Sequence, residues 1–184
     1  MNRDKAFKLL LKYIAKENMI SHSLASEAVM YDLAIKLNED PEKWALAGLL
    51  HDIDVEITNA DAYTHGQKAI EILKEEGIED DIINAIAMHN EISSGKNRSF
   101  KFEHALAAGE TITGLITATT LVYPDKKIAA VKPKSIVKRM KEKAFAASVN
   151  RENIMECEKL GLSIDEFAEL ALNAMKKIDY KIGL

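Results

Sequence analysis

The clearest structural signal in this sequence is the segment Gly48–Asp54, which reads GLLHDID. A helix is expected to begin upstream at Asp40 and Pro41, because aspartate caps helix starts and proline tolerates the first helical turn. This helix is predicted to run from Pro41 to Asp52 and to end on the pair His51 and Asp52. Adjacent helical residues differ by about 100° in direction. The two side chains can therefore serve one metal ion only at an unwinding helix end.

The remaining sequence also favours helices, because it contains only eight glycines and three prolines and is rich in strong helix formers. No strand is predicted. The other long helices are expected at about 3–16, 23–37, 62–76, 80–90 and 102–122, with shorter ones after Pro133, over 150–160 and from Ser163. This prediction places His22 at the start of the second helix, and His65 and His89 on two later helices. Residues 93–99 are expected to form a loop.

Composition restricts the class of protein. A chain of 184 residues with 47% hydrophobic content can bury the core of one domain. Its net charge of −4 gives no general attraction for nucleic acid or membrane surfaces. The lone Cys157 has no disulfide partner, the N-terminal segment does not resemble a signal peptide, and no apolar run approaches the about 20 residues of a membrane span. We expect a cytoplasmic protein that does not enter membranes.

Four of the five histidines lie on or beside apolar helical segments: His22, His51, His65 and His89. Imidazoles and carboxylates are ligands for Mn, Fe, Zn, Ni or Co, and helical bundles hold metals by directing such groups from several helices into one cleft. The fifth histidine, His104, is left out of this set because Lys101 and Glu103 predict a solvated face.

The order His22, His51-Asp52 and then a distant carboxylate resembles the H…HD…D signature of the HD superfamily of metal-dependent phosphohydrolases. The additional His65 and His89 resemble the H…HD…H…H…D pattern of its two-metal (HD/HDIG) branches. Further segments resemble a small bacterial and archaeal group of HD-domain hydrolases of undefined substrate; they read ALAAGETITGLI (105–116), PDKK (124–127) and FAASVNRE (145–152). The resemblance covers most of the chain.

The resemblance implies a set of roles for these residues. One ion is held by His22, His51, Asp52 and Glu110, and Asp52 bridges to a second ion held by His65 and His89. The implied cofactors are one or two divalent ions, with Mn, Fe, Ni, Co, Zn and Mg as the candidates. Water activated by the metal is expected to attack a phosphoester or phosphoanhydride.

Two catalytic residues are expected, Asp52 and Asp54. Asp54 either orients a ligand histidine or takes the proton of the leaving group. Two positions depart from the family pattern, because Asp54 replaces the frequent glycine of the HDIG string and Glu110 replaces an aspartate. The additional methylene of Glu110 moves its carboxylate by about 1.5 Å.

A basic stretch covers residues 126–143 and contains a single acid, Glu142. Such a run is typical of a solvated face, and phosphate steering is the functional alternative. The candidate phosphate ligands are Lys132, Lys134, Lys138, Asn150 and Arg151.

We therefore predict an all-α fold, an HD-domain helical bundle with a metal-binding core at 1–123 and a helical C-terminal extension at 124–184 packed on it as a single domain. The predicted function is hydrolysis of a small phosphorylated substrate, a nucleotide or a related metabolite. The main rival is a non-enzymatic HD module that senses a nucleotide or metal and regulates a partner, and the basic stretch leaves an RNA-binding or protein-binding module as a third possibility. Nucleic acid is the less favoured partner, and a homo-oligomer stays open.

Overall fold

A computed structural model describes residues 1–184 as helices joined by turns, with no strand, which confirms the all-α prediction. The α-helices are α1 (Arg3–Tyr13), α2 (Glu17–Leu37), α3 (Pro41–Leu50), α4 (Gln67–Glu75), α5 (Asp80–His89), α6 (Glu91–Ser94), α7 (Lys101–Leu121), α8 (Pro133–Met140), α9 (Arg151–Met155), α10 (Ile164–Lys176) and α11 (Asp179–Ile182). Two 3₁₀ turns cover Ile128–Ala130 and Glu156–Leu160. None of the helices combines the length and the apolarity that a membrane span requires.

Helix α2 begins at Glu17, earlier than predicted, so His22 lies inside the helix and not at its start. The serines on both sides of His22 resemble a helix start in sequence. In the structure Met19 and Ile20 pack against the core and extend the helix towards the N-terminus. Tertiary packing thus outweighs the local capping signal.

Helix α4 begins at Gln67, later than predicted, and His65 lies in the series of turns that precedes it. The cause is Gly66, whose φ of 95° cannot continue a helix. The carboxylate of Asp54 then accepts hydrogen bonds from the backbone N–H groups of Gly66 and Ala69 and so caps the start of α4. A distant residue, and not the local sequence, sets this boundary.

Helix α7 lies in the middle of the molecule and packs against α2, α3, α5, α8, α9 and α10. One hydrophobic cluster includes residues from both sides of position 123, among them Leu49 and Ile112 before it and Ile154 and Phe167 after it. Trp44 is buried and stacks on Phe102 with 5.1 Å between ring centroids. The core is therefore continuous between the proposed N-terminal core and its C-terminal extension.

Candidate metal centre

Asp52 is the common neighbour of four histidine side chains that come from four different segments. His22 is on α2, His51 caps the C-terminus of α3, His65 is in the turns before α4, and His89 is the last residue of α5. The Asp52 Oδ1 atom lies 3.0 Å from His65 Nε2, 3.4 Å from His51 Nε2 and 3.6 Å from His89 Nε2. The other oxygen, Oδ2, lies 3.5 Å from His22 Nε2.

These side chains form two groups that share Asp52. His22, His51 and Asp52 make the first, Asp52, His65 and His89 the second, and the potential ligand atoms within each lie within 4.8 Å of one another. The Nε2 atoms of His22 and His51 are 3.1 Å apart in the first group. Those of His65 and His89 are 2.9 Å apart in the second.

The other ring nitrogen of each histidine is held by a partner that accepts a hydrogen. His51 Nδ1 faces the Gly48 carbonyl oxygen at 2.8 Å, and His89 Nδ1 faces the carbonyl oxygen of Ile86. A carbonyl only accepts, so each Nδ1 carries the proton and each Nε2 presents a lone pair when the ring is neutral.

The same argument holds for His65 and His22. His65 Nδ1 donates to Asp54 Oδ1 at 2.7 Å. The hydroxyl of Thr113 donates to the Glu110 backbone carbonyl at 2.6 Å, so it accepts from His22 Nδ1 at 3.0 Å. In the neutral state all four Nε2 lone pairs therefore point into the space around the Asp52 carboxylate.

Nε2 lone pairs that face each other at 2.9 to 3.1 Å repel unless a proton or a metal cation lies between them. A tetrahedral ion with bonds of about 2.0–2.1 Å to nitrogen separates its ligands by about 3.3 Å. The ligand atoms are already close to this spacing, and each histidine has the outer hydrogen bond that normally fixes a metal-binding tautomer. The residues present therefore fit a divalent ion in each group.

The electrostatics of the centre favour a bound cation. Burial opposes ionisation of Asp52, but the surrounding imidazoles, among them His65 and His89 through hydrogen bonds to the carboxylate, hold its pKa well below the ordinary value. Burial lowers the pKa of His51 to about 3, so this ring is neutral. Burial also acts to lower the pKa of His65, but the hydrogen bonds that its ring donates to the carboxylates of Asp52 and Asp54 outweigh it and raise the pKa to about 10. The centre thus draws positive charge towards the ionised carboxylates.

Glu110 lies at the edge of the first group, on α7. Its Oε2 is 3.8 Å from His22 Nε2, while its Oε1 accepts a hydrogen bond from the Thr111 hydroxyl. Burial raises the pKa of Glu110. Glu110 is therefore close to His22 but is not part of the group whose potential ligand atoms all lie within 4.8 Å of one another.

The HD domain family matches residues 19–132, a segment that holds all six of these metal-ligand candidates. The chain belongs to the HD-domain family. This confirms the resemblance to the HD superfamily of metal-dependent phosphohydrolases, a family whose members bind divalent metals. The two histidine groups around Asp52 are the potential metal ligands of this HD domain.

Known proteins with similar sequences match this chain over different shares of their length. The HD-domain chain is 37% identical to Ribonuclease Y of Nitratidesulfovibrio vulgaris over 75 residues, which are 41% of this chain and 14% of that protein. It is 28% identical to the uncharacterized protein MJ0778 of Methanocaldococcus jannaschii over 137 residues, 72% of this chain and 78% of the relative. Ribonuclease Y of Fusobacterium nucleatum is 24% identical over 164 residues, 89% of this chain and 32% of that protein. The match thus spans a minor part of these ribonucleases, and no solved structure matches the chain.

Asp54 lies behind His65 and is not exposed to solvent. One of its oxygens accepts from His65, and the other accepts from the N–H groups of Gly66 at 2.8 Å and Ala69 at 3.0 Å. The hydrogen bond from His65 helps to hold the pKa of Asp54 below its ordinary value against the effect of burial. Of the two roles considered for Asp54, this geometry favours orientation of His65 and leaves no oxygen directed at a leaving group.

The five phosphate-ligand candidates of the HD-domain protein form no hydrogen bond or ion pair with the histidine groups. Lys132, Lys134 and Lys138 are exposed at the start of α8 and along it. Asn150 caps α9 by accepting from the Glu152 N–H, and Arg151 donates to the carbonyls of the preceding loop, including Val149 at 2.7 Å. The structure thus gives Asn150 and Arg151 capping and loop-holding contacts.

Three residues around the HD-domain centre were not singled out by sequence. Thr113 orients His22, and Arg98 bonds the backbone of His89. His104 was expected on a solvated face, which is wrong: it is 8% exposed and its Nδ1 lies 2.9 Å from a Glu156 carboxylate oxygen. Glu156 comes from the C-terminal segment and covers this face of α7, a contact that local periodicity does not reveal.

Proposed function

We propose that this HD-domain protein hydrolyses a phosphate ester or anhydride of a small nucleotide or related phosphorylated metabolite. The proposed metal ligands are His22, His51, Asp52 and Glu110 for one ion and Asp52, His65 and His89 for the other. The observation that carries the proposal is the convergence of four histidine Nε2 atoms, from four segments of the chain, on the Asp52 carboxylate.

Each residue has a definite task in this proposal. Asp52 Oδ1 lies near His51 of the first group and near His65 and His89 of the second, and Oδ2 lies near His22, so the side chain can contact both ions. Asp54 and Thr113 hold the rings of His65 and His22 in the tautomers that leave Nε2 free. A bound divalent ion would lower the pKa of water from about 15.7 to about 7 and stabilise negative charge on phosphate oxygens.

Phosphate attraction is proposed for Lys132, Lys134 and Lys138. Helix α8 packs against α7, the helix that carries Glu110, and these three ammonium groups are exposed. The only acid near any of them is Glu142, which lies 3.9 Å from Lys138. Because Arg151 is engaged by backbone carbonyls and Asn150 by its helix cap, neither is included in the proposed phosphate site.

A second candidate is cleavage of RNA phosphodiesters, which the similarity to two proteins named Ribonuclease Y supports. The net charge of −4 favours a short oligonucleotide over a long one, since an extended nucleic-acid surface is usually basic. The rival to both is a metal-binding or nucleotide-binding module without catalysis, for which the replacement of aspartate by Glu110 is the motive.

The test combines metal analysis with a substrate panel. Protein purified without chelator is analysed for metal per chain as wild type, His51→Ala, Glu110→Ala and Glu169→Ala. The last variant is the matched control for Glu110→Ala, because Glu169 is an exposed glutamate of α10, outside the metal centre. Each protein, loaded with Mn, Co or Zn, is then assayed on phosphomonoesters, nucleoside triphosphates, dinucleotides and short RNA.

We expect two ions per chain in the wild type and the control, loss of metal in His51→Ala, and weaker binding in Glu110→Ala. Hydrolysis of a mononucleotide or dinucleotide with the same dependence on His51 supports the first candidate, and hydrolysis of RNA alone supports the second. A protein that holds two ions and cleaves no compound in the panel overturns both in favour of the sensor. Absence of metal after reconstitution overturns the metal centre itself.

A further inference from the structure

Arg98 is a buried cation outside the histidine groups, with a side chain only 4% exposed. An arginine has five N–H donors, and burial of its charge requires that they be matched. Its Nε donates to the Glu156 carboxylate at 2.9 Å, and its Nη2 donates to Asn153 at 2.9 Å and Glu91 at 3.2 Å. The remaining nitrogen, Nη1, contacts the backbone of α5.

Nη1 of Arg98 donates to two backbone carbonyls, those of Met88 at 3.0 Å and His89 at 3.1 Å. These carbonyls belong to the last turn of α5, where they have no partner within the helix. Asn90 leaves the helical conformation immediately afterwards, with φ −112° and ψ 93°. The guanidinium therefore holds the backbone of His89 at the point where α5 ends.

The other side of the guanidinium is anchored by the C-terminal segment. Glu156 and Asn153 come from α9 and the following 3₁₀ turn, and Glu156 is itself held by His104 of α7 at 2.9 Å. The chain from His104 through Glu156 to Arg98 thus connects α7 and the C-terminal segment to the main chain of His89. No hydrogen bond or ion pair links Arg98 to His22, His51 or Glu110.

We propose that Arg98 is a positioning residue for one half of the metal centre, the group Asp52, His65 and His89, and that Glu156 of the C-terminal segment holds Arg98 in place. The proposal rests on the proposed function, in which this group binds the second ion. This proposal predicts a selective effect. Loss of Arg98 lowers the affinity for the ion at His65 and His89 and leaves the ion at His22 and His51 bound.

The experiment titrates metal-free protein with Co²⁺ and follows heat and visible absorption, so that two successive binding events are resolved. Arg98→Met keeps an unbranched but shorter side chain and removes every donor, and Arg98→Lys keeps the charge and offers an ammonium group to the carbonyls. Arg3→Met is the matched control, because Arg3 makes a two-point ion pair with Glu27 on α2, away from His89.

We expect Arg98→Met to retain one Co²⁺ event of wild-type affinity and to weaken the other about 10–100-fold, the range for the loss of outer hydrogen-bond partners of metal ligands. Arg98→Lys should recover part of this loss, and Arg3→Met should bind both ions as the wild type does. If Arg98→Met does not fold, Glu156→Gln is the second variant. Glu156→Gln keeps the shape of the side chain but removes the negative charge that faces Arg98. It should lower the affinity of the same Co²⁺-binding event by a smaller factor.

Three results overturn the inference. Unchanged affinities in Arg98→Met exclude a positioning role, and equal weakening of both events shows that Arg98 acts only through overall stability. A wild type that binds a single ion or none removes the second site and with it the proposed two-ion function. If the wild type binds two ions and Arg98→Met binds them equally well, the role of Arg98 is rejected, but the proposed two-ion function is not.

Discussion

The Asp54 side chain acts only as a hydrogen-bond acceptor. Its two oxygens accept hydrogen bonds from three N–H groups, those of His65, Gly66 and Ala69, and the ionised carboxylate has no donor. Asparagine at this position would replace one oxygen by an NH₂ donor. That donor would face either the backbone N–H groups or the His65 ring, and the second arrangement moves the ring proton to Nε2, where it blocks metal binding.

We therefore expect Asp54→Asn to lower the affinity for the ion at His65 and His89 about 10–100-fold and to leave the affinity for the ion at His22 and His51 unchanged. The measurement is the Co²⁺ titration of the metal-free variant. The matched control is Asp61→Asn, because the exposed Asp61 accepts the N–H groups of Tyr63 and Thr64 through one oxygen, which an asparagine also offers. Equal affinities for both ions in Asp54→Asn and wild type would contradict the role given to Asp54.

Helices α2 and α3 approach each other closely at Gly48. A Cβ atom added to Gly48 would lie 2.6 Å from the Ser26 carbonyl oxygen, on the rigid backbone of α2. The two helices therefore need a residue without a side chain here. Because the carbonyl of Gly48 also accepts from His51 Nδ1, this close packing sets the position of a proposed ligand.

Gly48→Ala should accordingly destabilise the fold by about 1–3 kcal/mol, the usual cost of overpacking a well-packed interior. Chemical denaturation measures this free energy of unfolding. Gly114→Ala is the control, since its added methyl meets only the Val149 side chain at 3.4 Å and gains helix propensity. Similar stability of the two variants would show that α2 and α3 can separate without loss.

The molecule as a whole has one continuous core, which includes the C-terminal extension. Phe167 of α10 is completely buried in the same cluster as Leu33 of α2 and Leu115 of α7. We propose that residues 124–184 complete the domain and do not fold as an appendage of it. Unfolding should then be a single cooperative transition.

Phe167→Ala should lower the free energy of unfolding by about 3–5 kcal/mol while the transition stays single. Phe100→Ala is the control, because the Phe100 side chain is 69% exposed, and its effect should stay within about 0.5 kcal/mol. Both are measured by denaturant unfolding followed by fluorescence of Trp44 and by circular dichroism. An early separate transition in Phe167→Ala would show instead that the extension unfolds independently of the N-terminal core.

Much of this HD-domain protein was predictable from the linear pattern. The helical class follows from composition and periodicity, because scarce glycine and proline and repeated apolar spacing act locally along the chain. The order of His22, His51, Asp52, His65, His89 and Glu110 indicated the family, which the HD-domain match confirms. The start of α3 at Pro41 and the start of a helix at Ser163 were also predicted correctly, since both depend on neighbouring residues.

Other features depend on residues that are far apart in the chain and meet only in the folded molecule. Asp54 caps α4 and sets the tautomer of His65, and Glu156 buries His104 on a face that looked solvated. Arg98 lies in a segment read as a plain loop, yet it bonds His89 and Glu156 at the same time. Local periodicity reports which face of a helix is apolar but not which distant polar group will cover it. Residue types and their order along the chain thus indicate which groups can bind metal, while long-range hydrogen bonds decide how these groups are oriented.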